Sequence, residues 1–107
     1  MNWFQGVLGQ SADQGWVVEP NGLVVDVRSP MEFASGHVKG ATNLPLDQFV
    51  DGYAKLMPNK QQQIVLYCRS GNRSGQATQF LQQNGYTNVI NGINTEVVSG
   101  HLARKAA

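Results

Sequence analysis

A single cysteine, Cys68, stands among 107 residues, so no disulfide can form within the chain. Histidine is nearly as scarce: His37 and His101 are isolated from each other, and none of the Cys/His spacings of a metal site occurs. No metal or other cofactor is expected. Charge is sparse and balanced, with Lys and Arg numbering 8 against 7 Asp and Glu for a net charge of +1. That balance gives no reason to expect nucleic acid or an anionic membrane as a partner. No apolar run is long enough to span a bilayer, and the opening MNWFQGVLGQSADQG has neither the basic region nor the apolar stretch of a secretory signal. The expectation is a soluble, cytoplasmic protein, or a periplasmic one if a leader has been removed.

What remains is an ordinary globular composition, 41% apolar and 14% charged, in a length suited to one domain with its own core. Trp3, Phe4, Val7 and Leu8 recur at helical spacing, which makes residues 1–20 an N-terminal extension or docking helix. The core is expected over residues 21–93. In it GLVVDVRSP reads as a buried strand from Leu23 to Val27, and Pro30 suits the first turn of a short helix that ends at Gly36. ATNLPL is short and extended. Leu46, Phe49, Val50, Tyr53, Leu56 and Met57 form a helical stripe stopped by Pro58 and Asn59. QIVLYC reads as a second buried strand, SGQATQFLQQNG as a helix stopped at Asn84 and Gly85, and TNVIN as a last strand. Residues 94–107 are left as a terminal helix or tail. Strands that alternate with helices and are apolar along their length indicate an α/β fold with a parallel sheet covered on both faces.

Cys68 falls at the carboxyl end of a predicted parallel strand, where the ligand sites of such sheets gather. Free cysteines are among the most buried residues, so packing is the bland reading. The flanking CRSGNR argues for an exposed nucleophile instead. Gly71 frees the backbone, Ser74 can cap or open the next helix, and a loop of this kind can turn successive N–H groups inward as a nest for an anion. An ordinary thiol, with a pKa of about 8.5, is mostly neutral at pH 7. A helix N-terminus, several N–H donors and the guanidinium groups of Arg69 and Arg73 would together favour its thiolate, without a histidine base.

Two stretches carry a resemblance. DVRSPMEFASGHVKGATNLP, residues 26–45, resembles the first signature of rhodanese domains, and VLYCRSGNRSGQA resembles their active-site loop. Members made of one such domain, particularly small thiosulfate sulfurtransferases, end in GY-x-x-V, as here from Gly85 to Val89. The resemblance implies a three-layer α/β/α fold with a five-stranded parallel sheet. It also implies sulfur transfer in two displacements: Cys68 takes the outer sulfur of thiosulfate as a persulfide and passes it to cyanide or a thiol. The partners implied are a small anionic sulfur donor and an external thiol or cyanide acceptor, or a sulfur-relay protein. With no second cysteine, the acceptor must come from outside the chain.

Carried over residue by residue, Arg69 and Arg73 would steer and orient the anionic donor, and Ser70, Gly71, Asn72 and Ser74 would supply backbone donors to the bound sulfur. Asp26, Arg28 and Glu32 would be scaffold that fixes the loop over the sheet, and His37 a structural hydrogen-bonder. Four residues separate Cys68 from Arg73, one fewer than in the related cell-cycle phosphatases, which makes a phosphatase or arsenate reductase the lesser alternative. A rhodanese-fold binding or sulfur-carrier module without turnover is the other. The segment VINGINTEVV departs from the family: a single Gly92 replaces the usual glycine pair and the usual aromatic is missing, which leaves one wall of the site mouth undefined.

Overall fold

The computed structural model describes residues 15–102. The expected helix over Trp3, Phe4, Val7 and Leu8 and the final residues 103–107 lie outside them. Four strands form one sheet: β1 (Leu23–Asp26), β2 (Thr42–Asn43), β3 (Ile64–Tyr67) and β4 (Val89–Ile93), in spatial order β2-β1-β3-β4 and parallel throughout. Between and after them run α1 (Pro30–Ala34), α2 (Phe49–Leu56), α3 (Asn72–Gln83) and α4 (Thr95–Leu102).

Side chains alternate across each strand, so each face of the sheet collects its own core. Val25, Ile64 and Leu66 join Phe49 and Met57 at α2, and Ala77 and Leu81 of α3, on one face. Val24, Val65, Tyr67 and Ile90 join Val38, Val98 of α4 and Trp16 on the other. Every residue of β3 is buried, as expected of a central parallel strand. Residues 95–102 are helical, which settles the open choice for that part of the terminal segment. Among the described residues no helix is long and apolar enough to cross a membrane.

Two expectations need correction. The sheet has four strands among the described residues, not five. The stretch before β1 buries Trp16 and Val18 without joining the ladder, because the side chain of Gln63 does the pairing: its Oε1 accepts from Glu19 N–H at 2.8 Å and its Nε2 donates to Val17 O at 2.9 Å. The stripe from Leu46 to Met57 is a 3₁₀ turn (Leu46–Gln48) followed by α2, and this break in period leaves Val50 65% exposed.

The caps decide what the site receives. Ser29 and Glu32 form a reciprocal capping box on α1, with Pro30 in its first turn. The N-cap of α3 is Gly71, at φ 95°, a left-handed conformation natural to glycine. Ser74 therefore does not cap that helix; it lies inside the first turn, fully buried.

Candidate active site

Strand β1 is followed by β2 on one side and β3 lies on the other, so the chain's crossovers diverge between β1 and β3. Crevices of α/β sheets open at such a point, outside the carboxyl ends of the strands. Cys68 stands there, directly after β3, with its N–H donated to Ile93 O at the end of β4, 3.0 Å away.

The loop folds back over the thiol. Gly71 N–H points at Sγ from 3.1 Å, Ser74 N–H from 3.4 Å, and the Ser74 hydroxyl lies 3.4 Å away. Burial pushes the thiol up, but the Ser74 hydroxyl and the backbone N–H groups of Ser74, Ser70 and Gly71 outweigh it, and the pKa lies below the ordinary value. The arrangement is the expected nest at a helix N-terminus. The expected exposure is wrong: Cys68 is only 1% exposed and packs in the core beneath its own loop. Burial removes water from the sulfur, and the nest sets fixed donors in its place.

Ser74→Ala removes the one side-chain hydroxyl within 3.4 Å of Sγ among the described residues. The pH at which Cys68 becomes reactive should then rise, measured as the acid limb of its alkylation rate by iodoacetamide; an unmoved limb would mean that the backbone alone holds the charge.

The other predicted residues separate into those at the thiol and those that brace it. Arg73 is committed to an ion pair. Its Nη1 and Nη2 are 2.8 and 3.0 Å from the two carboxylate oxygens of Glu32, and this fork ties the start of α3 to α1. Glu32 is accordingly the brace that was expected of it. Asp26, fully buried at the end of β1, accepts from Arg28 Nη2 at 2.7 Å and from its Nε at 3.0 Å; Arg28 also donates to Gly36 O at 2.7 Å. Arg69 and Ser70 are exposed, and Arg69 makes no hydrogen bond or ion pair among the described residues. The Asn72 carboxamide is taken up along its own helix, where Gln76 Nε2 donates to its Oδ1 at 3.1 Å. His37 stacks on Phe33 and bonds Phe33 O through Nδ1 at 2.8 Å.

The Arg73 fork holds the Glu32 carboxyl at about 2, helped by the Ser29 N–H. A depressed carboxyl stabilises the fold above its unfolded pKa of about 4.3 and loses that contribution as pH falls through about 2. Both side chains are about one-third exposed, so solvent screens the pair. Glu32→Gln should cost about 0.5–1 kcal/mol at pH 7, and in urea titrations the gap from the parent should close between about pH 4.3 and 2.

One residue of the site was missed. Asn91, on β4, donates through Nδ2 to Gly71 O at 3.1 Å, and its Oδ1 accepts from Ser74 Oγ at 2.7 Å and from Ile93 N–H at 3.1 Å. The available signal was a polar side chain inside VINGI, an otherwise apolar strand. The same segment holds Ile93 at φ 73°, a costly backbone for a β-branched residue, next to Gly71, where an added Cβ would stand 3.3 Å from Ile93 Cγ2. Gly92 is the close-packed position: a Cβ there would stand 2.5 Å from Val98 Cγ2 and 3.0 Å from Val65 Cγ1.

A cavity of about 370 Å³ lined by Val27, Ser29, Pro45, Leu46, Asp47 and Arg73 flanks the loop. The β1–β3 register pairs Asp26 with Tyr67, so its next step sets Val27 of the cavity beside Cys68. Among the described residues no group of three or more His, Cys, Asp or Glu could hold a metal.

The chain is similar to known proteins in both sequence and fold. The rhodanese-like domain family matches over residues 7–93. The thiosulfate sulfurtransferase PspE of Escherichia coli K12 is 40% identical over 67 residues, 63% of this chain and 64% of that protein. A thiosulfate:glutathione sulfurtransferase of Saccharomyces cerevisiae is 30% identical over 81 residues, 65% of this chain and 58% of the yeast protein. The chain thus spans less than two thirds of the length of these relatives. The solved structure of a rhodanese with anions from E. coli aligns with a TM-score of 0.69 at 35% identity, covering 73% of this chain and 92% of that one.

Proposed function

The chain belongs to the rhodanese-like domain family, and from that premise we propose that it is a thiosulfate sulfurtransferase working through a Cys68 persulfide. The observation that carries the reading is the nest itself, with Gly71 N–H and Ser74 N–H turned on one buried sulfur and the Ser74 oxygen 3.4 Å from it. In the first displacement the Cys68 thiolate attacks the outer sulfur of thiosulfate. The sulfur–sulfur bond of the donor breaks, sulfite leaves with the bonding pair, and Cys68 holds the transferred sulfur as an anionic persulfide. Cyanide or an external thiolate then attacks that terminal sulfur, leaving as thiocyanate or a new persulfide and returning Cys68 as thiolate. Loop N–H donors fixed in advance stabilise the charge at both stages without reorganising.

Arg69, exposed and outside the Glu32 fork that holds Arg73, is the freer of the two loop cations to meet an anionic donor. Arg69→Ala should raise KM for thiosulfate about fivefold, equivalent to about 1 kcal/mol, with kcat little changed in steady-state assays. The phosphatase alternative stays the lesser one on the four-residue spacing from Cys68 to Arg73. The carrier alternative draws on the 1% exposure of Cys68, which a partner could relieve by moving the loop.

Mass spectrometry of the thiosulfate-treated protein tests the proposal. Cys68 should gain one sulfur atom, removable by a thiol reductant, with sulfite released in equal amount. A chain that stays unmodified at neutral pH would refute it; a persulfide that forms but does not turn over with any thiol or cyanide would support the carrier alternative.

A further inference from the structure

The orientation of the Asn91 amide is fixed by the main chain. Ile93 N–H, which can only donate, faces one end, and Gly71 O, which can only accept, faces the other. Oδ1 is therefore the atom that meets Ser74, and the 2.7 Å contact requires the Ser74 hydroxyl to donate to it. A hydroxyl has one proton. While it lies on Asn91, Ser74 turns only lone pairs toward Cys68 Sγ, 3.4 Å away. Those lone pairs suit a neutral thiol, whose S–H can donate to Oγ, and oppose a thiolate, which needs a donor.

We propose that Ser74 and Asn91 form a two-position relay, in which Asn91 Oδ1 holds the hydroxyl proton while Cys68 is neutral and releases it to the sulfur when Cys68 is charged. Only the hydroxyl torsion changes; the thiol proton leaves to water, and no covalent bond at Ser74 is made or broken. Asn91 Oδ1 keeps the Ile93 N–H when the hydroxyl turns away, so the half-buried amide oxygen is never left without a partner. Asn91 is thus a positioning residue that opposes ionisation of Cys68, acting against the backbone nest. In a persulfide the charge moves to the outer sulfur, and the hydroxyl would return to Asn91.

This inference rests on Cys68 being the reactive thiol of the proposed function, but its readout is alkylation rather than sulfur transfer, so the two can fail separately. The test measures iodoacetamide alkylation of Cys68, the only cysteine, from about pH 5 to 9 in the parent, Asn91→Leu, Ser74→Ala and the double variant. Asn91→Leu frees the hydroxyl for the thiolate, so the acid limb should move to lower pH and the rate at about pH 6 should rise several-fold. In the Ser74→Ala background the same change should produce no such gain. If Asn91 only shapes the loop, its loss loosens the nest and the limb moves to higher pH; that result, or an equal shift in both backgrounds, overturns the relay. Should Asn91→Leu fold poorly, Asn91→Asp keeps and strengthens the acceptor. It should slow alkylation, and slow it less once Ser74 is alanine; equal slowing in both backgrounds would show added charge alone and overturn the relay as well.

Discussion

Cys68→Ser should abolish sulfur transfer, lowering kcat by on the order of 10⁴-fold or more, the scale seen when a covalent nucleophile is removed. A serine hydroxyl remains protonated throughout the working range, and its oxygen does not form a stable counterpart of a persulfide. The fold should barely notice. Serine is close to cysteine in size, and its oxygen can accept from the same Gly71 and Ser74 N–H groups that now meet Sγ at 3.1 and 3.4 Å. Any melting-temperature change should therefore be small while activity with thiosulfate and cyanide vanishes. Retained turnover would remove Cys68 from the mechanism altogether, since the chain offers no other thiol.

The largest expected loss of stability comes from Arg28→Met. The Asp26 carboxylate is fully buried, and three of its short contacts come from one guanidinium, with the Arg28 backbone N–H at 2.8 Å as a further donor. Removing the cation leaves the charge in the interior with only that N–H and the neighbouring Tyr67 hydroxyl, at a cost of about 3–5 kcal/mol. For a domain whose total stability is about 5–15 kcal/mol, that is enough to unfold much of the population at moderate urea. Arg28 also closes over the Tyr67 ring, 5.5 Å from its centroid, and braces Gly36 O, so methionine leaves some packing in place but none of the polar contacts. Adding Asp26→Asn to Arg28→Met removes the stranded charge and should recover most of the loss. A single-variant cost below about 1 kcal/mol in urea titrations would mean that water reaches the carboxylate and the pair is not buried in effect.

Much of this architecture could be read from short-range pattern. The β-branched runs of β1 and β3, the Pro30 start of α1 and the stop at Asn84 and Gly85 are local signals, and each marks an element close to its observed bounds. So is the loop from Cys68 to Ser74, whose glycine and helix start foretold the nest. What escaped the reading depends on partners distant in the chain. Glu32 and Arg73 are 41 residues apart, and only the tertiary fold shows that they pair in a fork. Asn91 reaches back 17 residues to Ser74, and a strand pattern gives no reason why one polar side chain should be the hub of a loop. Cys68 looked exposed because strand ends usually are; the loop that makes it reactive also roofs it. Gln63 standing in for a ladder strand could not be foreseen from a resemblance that implied five strands.

The second face of the sheet closes through contacts that span nearly the whole described chain. Trp16 lies flat on His101, their ring centroids 3.8 Å apart, and His101 Nδ1 meets Trp16 O at 2.6 Å across 85 residues. During synthesis the chain emerges in order, so the face holding α2 and α3 can assemble once β4 has left the ribosome, while the opposite face waits for α4. Trp16 lacks its His101 partner in that interval. The nascent protein would therefore carry a nearly complete thiol nest on a half-covered sheet, open to chaperones or to other chains until α4 arrives.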